Sequence, residues 1–176
     1  FLYGGNLGRP QDIPFVIECL RAAVHVPDAF FVICGSGTEY GKLRTFVEAE
    51  KYSNLLLLSG LPRADYDKLV RSCHVGLLFL DHRFTIPNFP SRLLSYLQAG
   101  LPVIACTDPA TDIGDIAQAG GFGWKCPSDD PAAFVRTVER ACSADLAAMG
   151  DAGRMYFSAH YTAEQSYEII MRGLER

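Results

Sequence analysis

Short apolar runs alternate with longer segments of helical periodicity along the whole chain. The apolar runs have the length of strands, and the periodic segments between them are typical of helices. The predicted strands span residues 1–4, 29–34, 54–59, 74–80, 101–106 and 122–126. The predicted helices span residues 11–25, 38–51, 63–72, 89–99, 110–119 and 130–142. This order predicts an α/β fold in which a doubly wound parallel sheet carries helices on both faces.

The fourth predicted strand and the C-terminal region refine this picture. Residues 75–80 are apolar throughout apart from one glycine, which predicts a central strand buried on both faces.

Two further helical stretches, 144–158 and 162–175, follow without another strand, so we expect residues 144–176 to form a helical tail whose last helix packs away from the sheet centre. The length of 176 residues, without an internal repeat or linker, predicts a single domain over residues 1–176.

Composition narrows the range of partners. The formal net charge of -4 argues against the broad basic surface that binds nucleic acids. No apolar run approaches the roughly 20 residues needed to cross a bilayer. The six cysteines lie far apart without a C-x-x-C pair, which favours buried, reduced thiols over disulfides or a metal site. We therefore expect a soluble, cytoplasmic protein without a nucleic-acid partner.

The loops after the predicted strands are candidate binding segments, because the ligand crevice of an open parallel sheet lies beyond the carboxyl ends of its strands. The first loop, residues 4–12, combines glycines with a helix start and with Arg9, a combination suited to phosphate. An ordinary tight turn with a solvent-facing arginine explains the same residues equally well. The loop at residues 35–41 has the wrong glycine spacing for a dinucleotide fingerprint, and we interpret it as a turn beside the crevice.

A long loop, residues 81–92, follows the fourth strand and leads into a helix that starts near Ser91 and Arg92. Helix N–H groups and a guanidinium at this place would bind phosphate. In the alternative interpretation Ser91 is a helix cap and Arg92 is a solvated side chain. No catalytic constellation emerges from the sequence, since the four histidines are isolated and only His82 lies in a crevice loop.

Four motifs occur in order at residues 3–8 (YGGNLG), 32–37 (VICGSG), 57–62 (LLSGLP) and 90–105 (PSRLLSYLQAGLPVIA). As a set they resemble the C-terminal domain of GT-B glycosyltransferases of the retaining GT4 group. The resemblance covers essentially the whole chain. It is closest to the bacterial polysaccharide and O-antigen branch, whose members commonly show Pro-Ser-Lys or Pro-Ser-Arg at this helix start.

The resemblance implies a site for a nucleotide diphosphate sugar. The diphosphate would lie near residues 5–9 and the helix start at residues 91–92, and the base would rest against residues 60–62. The implied donor-binding residues are Gly5, Asn6, Leu7, Gly8, Arg9, Gly35, Gly37, Leu61, Pro62, Phe89, Pro90, Ser91, Arg92 and Ser95. The catalytic residues stay unknown.

Two acidic positions of the family are neutral in this chain. The Glu-x7-Glu pair, whose first carboxylate touches the donor sugar and whose second touches the ribose, falls on Pro87 and Ser95. Two neutral residues remove the bidentate acceptor that a ribose diol prefers, although Ser95 still offers one hydrogen bond. The donor is then held differently or weakly, or transfer has been lost. The family's basic pair is half visible, with Arg9 present and Pro14 or a neighbour at the usual lysine.

By the same resemblance, the chain is the donor-binding half of a retaining glycosyltransferase that transfers a sugar from a UDP- or GDP-type donor to a glycan or lipid-linked acceptor. No metal or other cofactor is implied. The implied partner besides the nucleotide sugar is an N-terminal acceptor domain absent from this chain, through which the protein would associate peripherally with a membrane. We expect the fragment alone to be inactive, because catalysis needs both reactants in one closed cleft. The alternatives are a non-catalytic nucleotide or sugar-phosphate binding module and a GT-B epimerase or phosphorylase.

Overall fold

Six parallel strands form one sheet in the order β3-β2-β1-β4-β5-β6 in the computed structural model, which describes residues 1–83, 86 and 89–174. The strands are β1 (Leu2–Asn6), β2 (Phe31–Ser36), β3 (Leu55–Leu58), β4 (Gly76–Phe79), β5 (Val103–Thr107) and β6 (Gly123–Pro127). The helices are α1 (Ile13–Ala23), α2 (Tyr40–Glu50), α3 (Arg63–Ser72), α4 (Arg92–Ala99), α5 (Ile113–Ala119), α6 (Pro131–Cys142), α7 (Leu146–His160) and α8 (Ala163–Leu174). The predicted doubly wound fold is confirmed, and the predicted element ends differ by only a few residues.

Helices cover both faces of the sheet. Side chains of α1, α2 and α6 form one buried cluster with one set of strand residues. Side chains of α3, α4 and α5 form a second cluster on the opposite face, with α7 packed outside α4. All four residues of β4 are buried, as predicted for a central strand, because this strand lies in the middle of the sheet between β1 and β5.

The neighbouring strands β1 and β4 are paired at one position, Leu2 opposite Gly76. Beyond it the hydroxyl of Tyr96, from α4, takes the place of strand pairing: it accepts a hydrogen bond from the Gly4 amide at 2.9 Å and donates to the Leu2 carbonyl at 3.1 Å. A Cβ atom on Gly76 would overlap the Tyr96 ring. The middle of α4 is therefore held against the place where β1 and β4 part.

The C-terminal tail follows the prediction for its last helix. None of the residues of α8 is buried, and this helix exposes large apolar side chains. The exposed apolar residues of α8 include Tyr167, Ile169, Ile170 and Leu174. The helix α7, in contrast, packs closely on α4, since a Cβ atom on Gly150 would overlap the Gly100 carbonyl. Within the described residues, no helix is long and apolar enough to cross a membrane.

All six cysteines are free thiols, in line with the prediction. Four of them are buried, namely Cys19, Cys34, Cys106 and Cys126. Cys73 is half-buried, and Cys142 is exposed because it is the last residue of α6. The prediction of burial is wrong for Cys142.

Candidate functional site

A cavity of about 540 Å³ lies at the carboxyl ends of β1, β2 and β3, with α3 and α4 as its side walls. It lies where ligands bind in open parallel sheets. Its lining comprises Gly4, Gly5, Asn6, Cys34, Gly35, Ser36, Gly60, Leu61, Tyr66, Ser91, Arg92 and Ser95.

The floor of this cavity is bare backbone. Gly5 of β1 pairs with Gly35 of β2, and a Cβ atom on Gly35 would overlap the Gly5 carbonyl oxygen. Gly5 also has a φ of 122°, a conformation that favours glycine. The sequence interpretation of Gly35 as part of a turn is therefore wrong: Gly35 and Ser36 continue β2, and the close approach of the two strands requires the glycine.

Arg92 brings a positive charge to the wall of the cavity. Its guanidinium carbon lies 4.2 Å from the centre of the Tyr3 ring, a cation–π contact. The Nη1 atom is buried and has no hydrogen-bond partner, and Arg92 forms no ion pair with a carboxylate in the described part of the chain. The interpretation of Arg92 as a solvated side chain is wrong, because its guanidinium is half-buried against Tyr3. A cation held without a counter-ion in a cavity favours an anionic ligand.

Burial and a hydrogen bond fix the Tyr3 side chain beneath the Arg92 guanidinium. The Tyr3 hydroxyl donates to the Asn6 carbonyl at 2.6 Å. Burial raises the pKa of Tyr3, while the nearby Arg92 guanidinium opposes part of that rise, so the phenol stays neutral. The guanidinium thus rests on an uncharged ring, and its charge stays available to a ligand.

Two further phenols belong to this region, Tyr66 in the cavity lining and Tyr96 buried outside it. The ring of Tyr66 leans from α3 over β1, so that a Cβ atom on Gly4 would overlap the Tyr66 hydroxyl. Burial raises the pKa of Tyr66, and a hydrogen bond with Tyr96 opposes the rise. Burial also raises the pKa of Tyr96 well above its usual value. Both groups are therefore neutral hydrogen-bonding partners at physiological pH.

The structure brings seven of the sequence-predicted donor-binding residues together in the cavity lining. These are Gly5, Asn6, Gly35, Leu61, Ser91, Arg92 and Ser95. The other seven, Leu7, Gly8, Arg9, Gly37, Pro62, Phe89 and Pro90, do not line it. Leu7 is buried in the core, a Cβ atom on Gly37 would overlap the Leu7 carbonyl, and Phe89 packs on Tyr161 with ring centres 5.4 Å apart. Pro87, the other position of the acidic pair, lies outside the described residues.

The start of α1 differs from the expected phosphate-binding helix N-terminus. The Asp12 carboxylate caps this helix and accepts from the Phe15 amide at 3.4 Å. A bound anion would have to displace that carboxylate. Arg9 is exposed and lines a separate depression, together with Glu39 and Lys42. At α4, in contrast, the predicted cap is absent, because the Ser91 side chain makes no capping hydrogen bond.

Sequence reasoning missed two lining residues, Cys34 and Tyr66, whereas Gly4, Ser36 and Gly60 lie within the candidate loops 4–12, 35–41 and 60–62. Tyr66 carried a usable signal. Together with Leu69, Val70 and Cys73 it forms a stripe at three- and four-residue spacing, which faces the sheet. Because α3 begins where β3 ends, the first member of that stripe lies at the ligand edge of the sheet.

A group of potential metal ligands lies outside the cavity lining. One ligand atom each of Asp12, Asp81 and His82 lies within 4.8 Å of the others. The Arg83 guanidinium already binds both carboxylates, at 2.7 Å from Asp81 and 3.4 Å from Asp12. Hydrogen bonds from Arg83 also hold the pKa of Asp81 below its usual range. Among the described residues this group is an ion-pair cluster that links the loop after β4 to the start of α1.

Comparison with known proteins places the chain among sugar transferases. The family described as "Glycosyl transferases group 1" matches residues 1–144. "Probable glycosyltransferase WbjE" of Pseudomonas aeruginosa is 26% identical over 168 residues, which cover 96% of this chain and 42% of that protein. The chain therefore spans less than half of the length of that relative.

Solved structures share the fold. The pneumococcal O-GlcNAc transferase GtfA, in complex with UDP and GlcNAc, matches with a TM-score of 0.73 and 20% identity over 99% of this chain and 35% of that chain. Anabaena HepE, in complex with UDP and glucose, matches with a TM-score of 0.75 and 16% identity over 99% of this chain and 48% of that chain.

Proposed function

This chain belongs to the group 1 glycosyltransferases, and on that premise we propose that it is the donor-binding half of a two-domain sugar transferase. The cavity above β1, β2 and β3 holds a nucleotide diphosphate sugar of the UDP or GDP type. The sugar passes to a glycan or lipid-linked acceptor that an N-terminal domain supplies. Both GtfA and HepE were solved with UDP, which supports this class of donor.

The main support for the proposal is the guanidinium of Arg92, which lines the cavity without an ion-pair partner among the described residues. A guanidinium offers several N–H donors in a planar fork that fits phosphate oxygens. Here it lies over a bare glycine floor, and within the described residues its buried Nη1 atom is unpaired and no carboxylate forms an ion pair with it. The diphosphate therefore binds beside the Arg92 guanidinium at the glycine floor, and the base extends towards Gly60 and Leu61 beyond the end of β3.

Several finer features belong to the same proposal. The reaction proceeds with retention, as in the GT4 group, and requires no metal. The protein acts in the cytoplasm in polysaccharide biosynthesis, and its contact with any membrane runs through the N-terminal half. The match to WbjE supports the assignment to this group of enzymes.

Binding of UDP and GDP by titration calorimetry tests the donor site. Replacing Arg92 by Ala should weaken binding of the preferred nucleotide by about 1.5–3 kcal/mol, the range for a hydrogen bond to a charged group. This corresponds to roughly a 10- to 100-fold rise in Kd. Arg44→Ala, on the exposed face of α2, removes the same charge and should leave Kd unchanged. Absence of binding at millimolar UDP and GDP, or equal losses in both variants, would contradict the proposal.

A second candidate function is a nucleotide-binding module without transfer, and the neutral side chain of Ser95 favours it. Measurements of sugar transfer and of nucleotide binding distinguish the transferase from the binding module. Sugar release from a bound donor by the full-length protein, given acceptor extract, would support the enzyme. Tight UDP binding without any turnover would support the module.

A further inference from the structure

We propose that a second cavity, at the carboxyl ends of β5 and β6, binds a neutral sugar ring through the buried hydroxyls of Thr107 and Ser128. This cavity measures about 500 Å³, a size that accommodates a small organic ligand. It shares no lining residue with the donor cavity above β1, β2 and β3. The inference goes beyond the proposed function, because it assigns a carbohydrate site that needs no nucleotide.

Unpartnered polar atoms mark the second cavity. Buried polar side chains are almost always hydrogen-bonded, because a buried group without a partner loses its hydration for nothing. Three buried side-chain atoms lack a partner within the described residues, namely Arg92 Nη1, Thr107 Oγ1 and Ser128 Oγ. The first belongs to the donor cavity, and the other two belong to residues that line the second cavity and are 3% and 1% exposed. The observation that supports a ligand at Arg92 thus also supports one at the two hydroxyls.

The topology brings the two hydroxyl residues to one place. Thr107 ends β5 and lies on the same side of that strand as Val103 and Ala105, which pack in the cluster beneath α4 and α5. Ser128 directly follows β6, the strand paired with β5, and Gln118 of α5 adds an amide to the lining. The carboxyl edge of a parallel sheet is where ligands bind.

The loop between β5 and α5 preforms one side of the second cavity. The buried carboxylate of Asp108 accepts hydrogen bonds from the amides of Ala110 and Thr111 at 2.9 Å and 3.0 Å. It also accepts from the Thr111 hydroxyl at 2.6 Å. These bonds fix the turn that carries Pro109, a lining residue, so the cavity needs little rearrangement to receive a ligand.

The charges around the second cavity favour a neutral ligand. The Lys125 ammonium donates to both carboxylate oxygens of Asp115, at 2.9 Å and 2.7 Å, so its charge is already compensated. The imidazole of His82 lies 3.7 Å from the Asp81 carboxylate. The Asp129 carboxylate, in contrast, forms no ion pair in the described part of the chain. A phosphate would meet this carboxylate without a free cation, so the second cavity selects against anions.

A sugar ring matches the groups that remain. Each sugar hydroxyl both donates and accepts, so it pairs with the Thr107 and Ser128 hydroxyls whichever way these rotate. The Asp129 carboxylate accepts from two neighbouring hydroxyls at once, the arrangement that a diol offers. Pro109 and Pro127 present apolar surface to the C–H groups of the ring.

The sheet order separates this sugar from the donor. Neighbouring strands lie about 4.8 Å apart, and β5 and β6 are three and four strands from β2, so the two cavities are about 15–20 Å apart. A ring in the second cavity is therefore not the sugar of a donor bound above β1, β2 and β3. Its source is a glycan unit remote from the reacting end or a free sugar.

NMR titration of the isotope-labelled chain tests the inference. The probes are methyl α-D-glucoside, methyl α-D-galactoside, methyl α-D-mannoside and N-acetylglucosamine, each with and without saturating UDP. At least one should shift the amide signals of residues 107–111 and 128–129, with the same Kd in both conditions. Thr107→Val and Ser128→Ala should each raise that Kd about 3- to 10-fold, the range of one neutral hydrogen bond. A trisaccharide of the preferred sugar that binds more tightly assigns the site to a glycan, and equal affinity assigns it to a free sugar.

Stability measurements and a matched control complete the test. Neither hydroxyl has a partner among the described residues, so both variants should be at least as stable as the wild type in urea. Thr45→Val removes a hydroxyl of α2 that bonds the Gly41 carbonyl at the surface, and it should leave the sugar Kd unchanged.

Four outcomes would overturn the inference. They are no shift with any of the sugars, equal Kd values in both cavity variants and the wild type, equivalent shifts with inorganic phosphate, and a loss of stability in both variants, which would assign the hydroxyls to structural water. Failure of the chain to bind UDP or GDP would overturn the proposed function and would leave this inference standing.

Discussion

We expect the Tyr96 hydroxyl to contribute more to the free energy of unfolding than any other hydroxyl near the cavity. The variant Tyr96→Phe measures that contribution. The substitution keeps the ring, which is fully buried and packs against Gly76. It removes the one partner that the described residues offer the Gly4 amide, and it removes one of the hydrogen bonds that the Leu2 carbonyl accepts next to its pairing with β4. The variant therefore isolates two buried backbone hydrogen bonds.

The expected magnitude follows from those two groups. The unpartnered Gly4 amide costs about 1–3 kcal/mol and the hydrogen bond lost at the Leu2 carbonyl about 1 kcal/mol, so the free energy of unfolding should fall by about 2–4 kcal/mol. In a domain of this size each kcal/mol lowers Tm by about 2–4 °C, which predicts a decrease of roughly 5–15 °C. Burial raises the pKa of Tyr96 well above its usual value, so the loss should be the same from pH 6 to pH 8.

Urea unfolding followed by circular dichroism measures the difference, with Tyr52→Phe as the control. The Tyr52 hydroxyl contacts Glu50 at 3.2 Å on the surface, so its removal should change the free energy of unfolding by less than about 0.5 kcal/mol. If Tyr96→Phe unfolds within about 0.5 kcal/mol of the wild type, the hydroxyl does not replace strand pairing, and the reasoning is refuted.

Two further predictions concern the floor and the ion-pair cluster. Gly35→Ala should lower the free energy of unfolding by at least about 1–3 kcal/mol in urea titrations, because its Cβ atom would overlap the β1 backbone. Gly41→Ala is the control, because a Cβ atom at this position of α2 meets open space. It should leave the free energy of unfolding unchanged or raise it by up to about 1 kcal/mol. Equal losses in both variants would contradict the overlap predicted between a Cβ atom on Gly35 and the β1 backbone. Arg83 lowers the pKa of Asp81, so the stability it provides is present above about pH 4 and is lost as the pH falls through the lowered value. Arg83→Gln should therefore unfold earlier than the wild type at pH 7 but together with it near pH 2, and a difference that persists in acid would indicate a packing role.

Local patterns were sufficient to predict the fold, because each strand and helix carries its own period of apolar residues. The apolar run of β4 predicted its central place, and the position of Arg92 at a helix start after that strand predicted that it lies at the ligand edge of the sheet, where it lines the cavity. Contacts between distant segments were not accessible in this way. The place of Tyr66 in the cavity lining depends on its contact with Gly4, which is far from it in sequence and meets it only through the sheet.

The start of α1 is a second place where a contact between distant residues was not predictable from the sequence. Glycines, a helix start and Arg9 are a suitable combination for phosphate, and the sequence alone supports that interpretation as well as a simple turn. The carboxylate of Asp12 caps the helix, and Arg83 reaches it from the loop after β4. No local sequence pattern predicts the ion pair between Asp12 and Arg83, because the two residues come together only when the sheet is formed.

The bare glycine floor has a consequence for how donor preference can change, in evolution or in the laboratory. Any side chain at Gly35 would push β1 and β2 apart, so the floor admits almost no substitutions. The rim is different, because Ser36, Leu61, Ser91 and Ser95 line the same cavity with exposed or half-buried side chains. A library restricted to these four positions would vary the chemistry that a donor meets while leaving the strand contacts intact, so new specificities should arise there first.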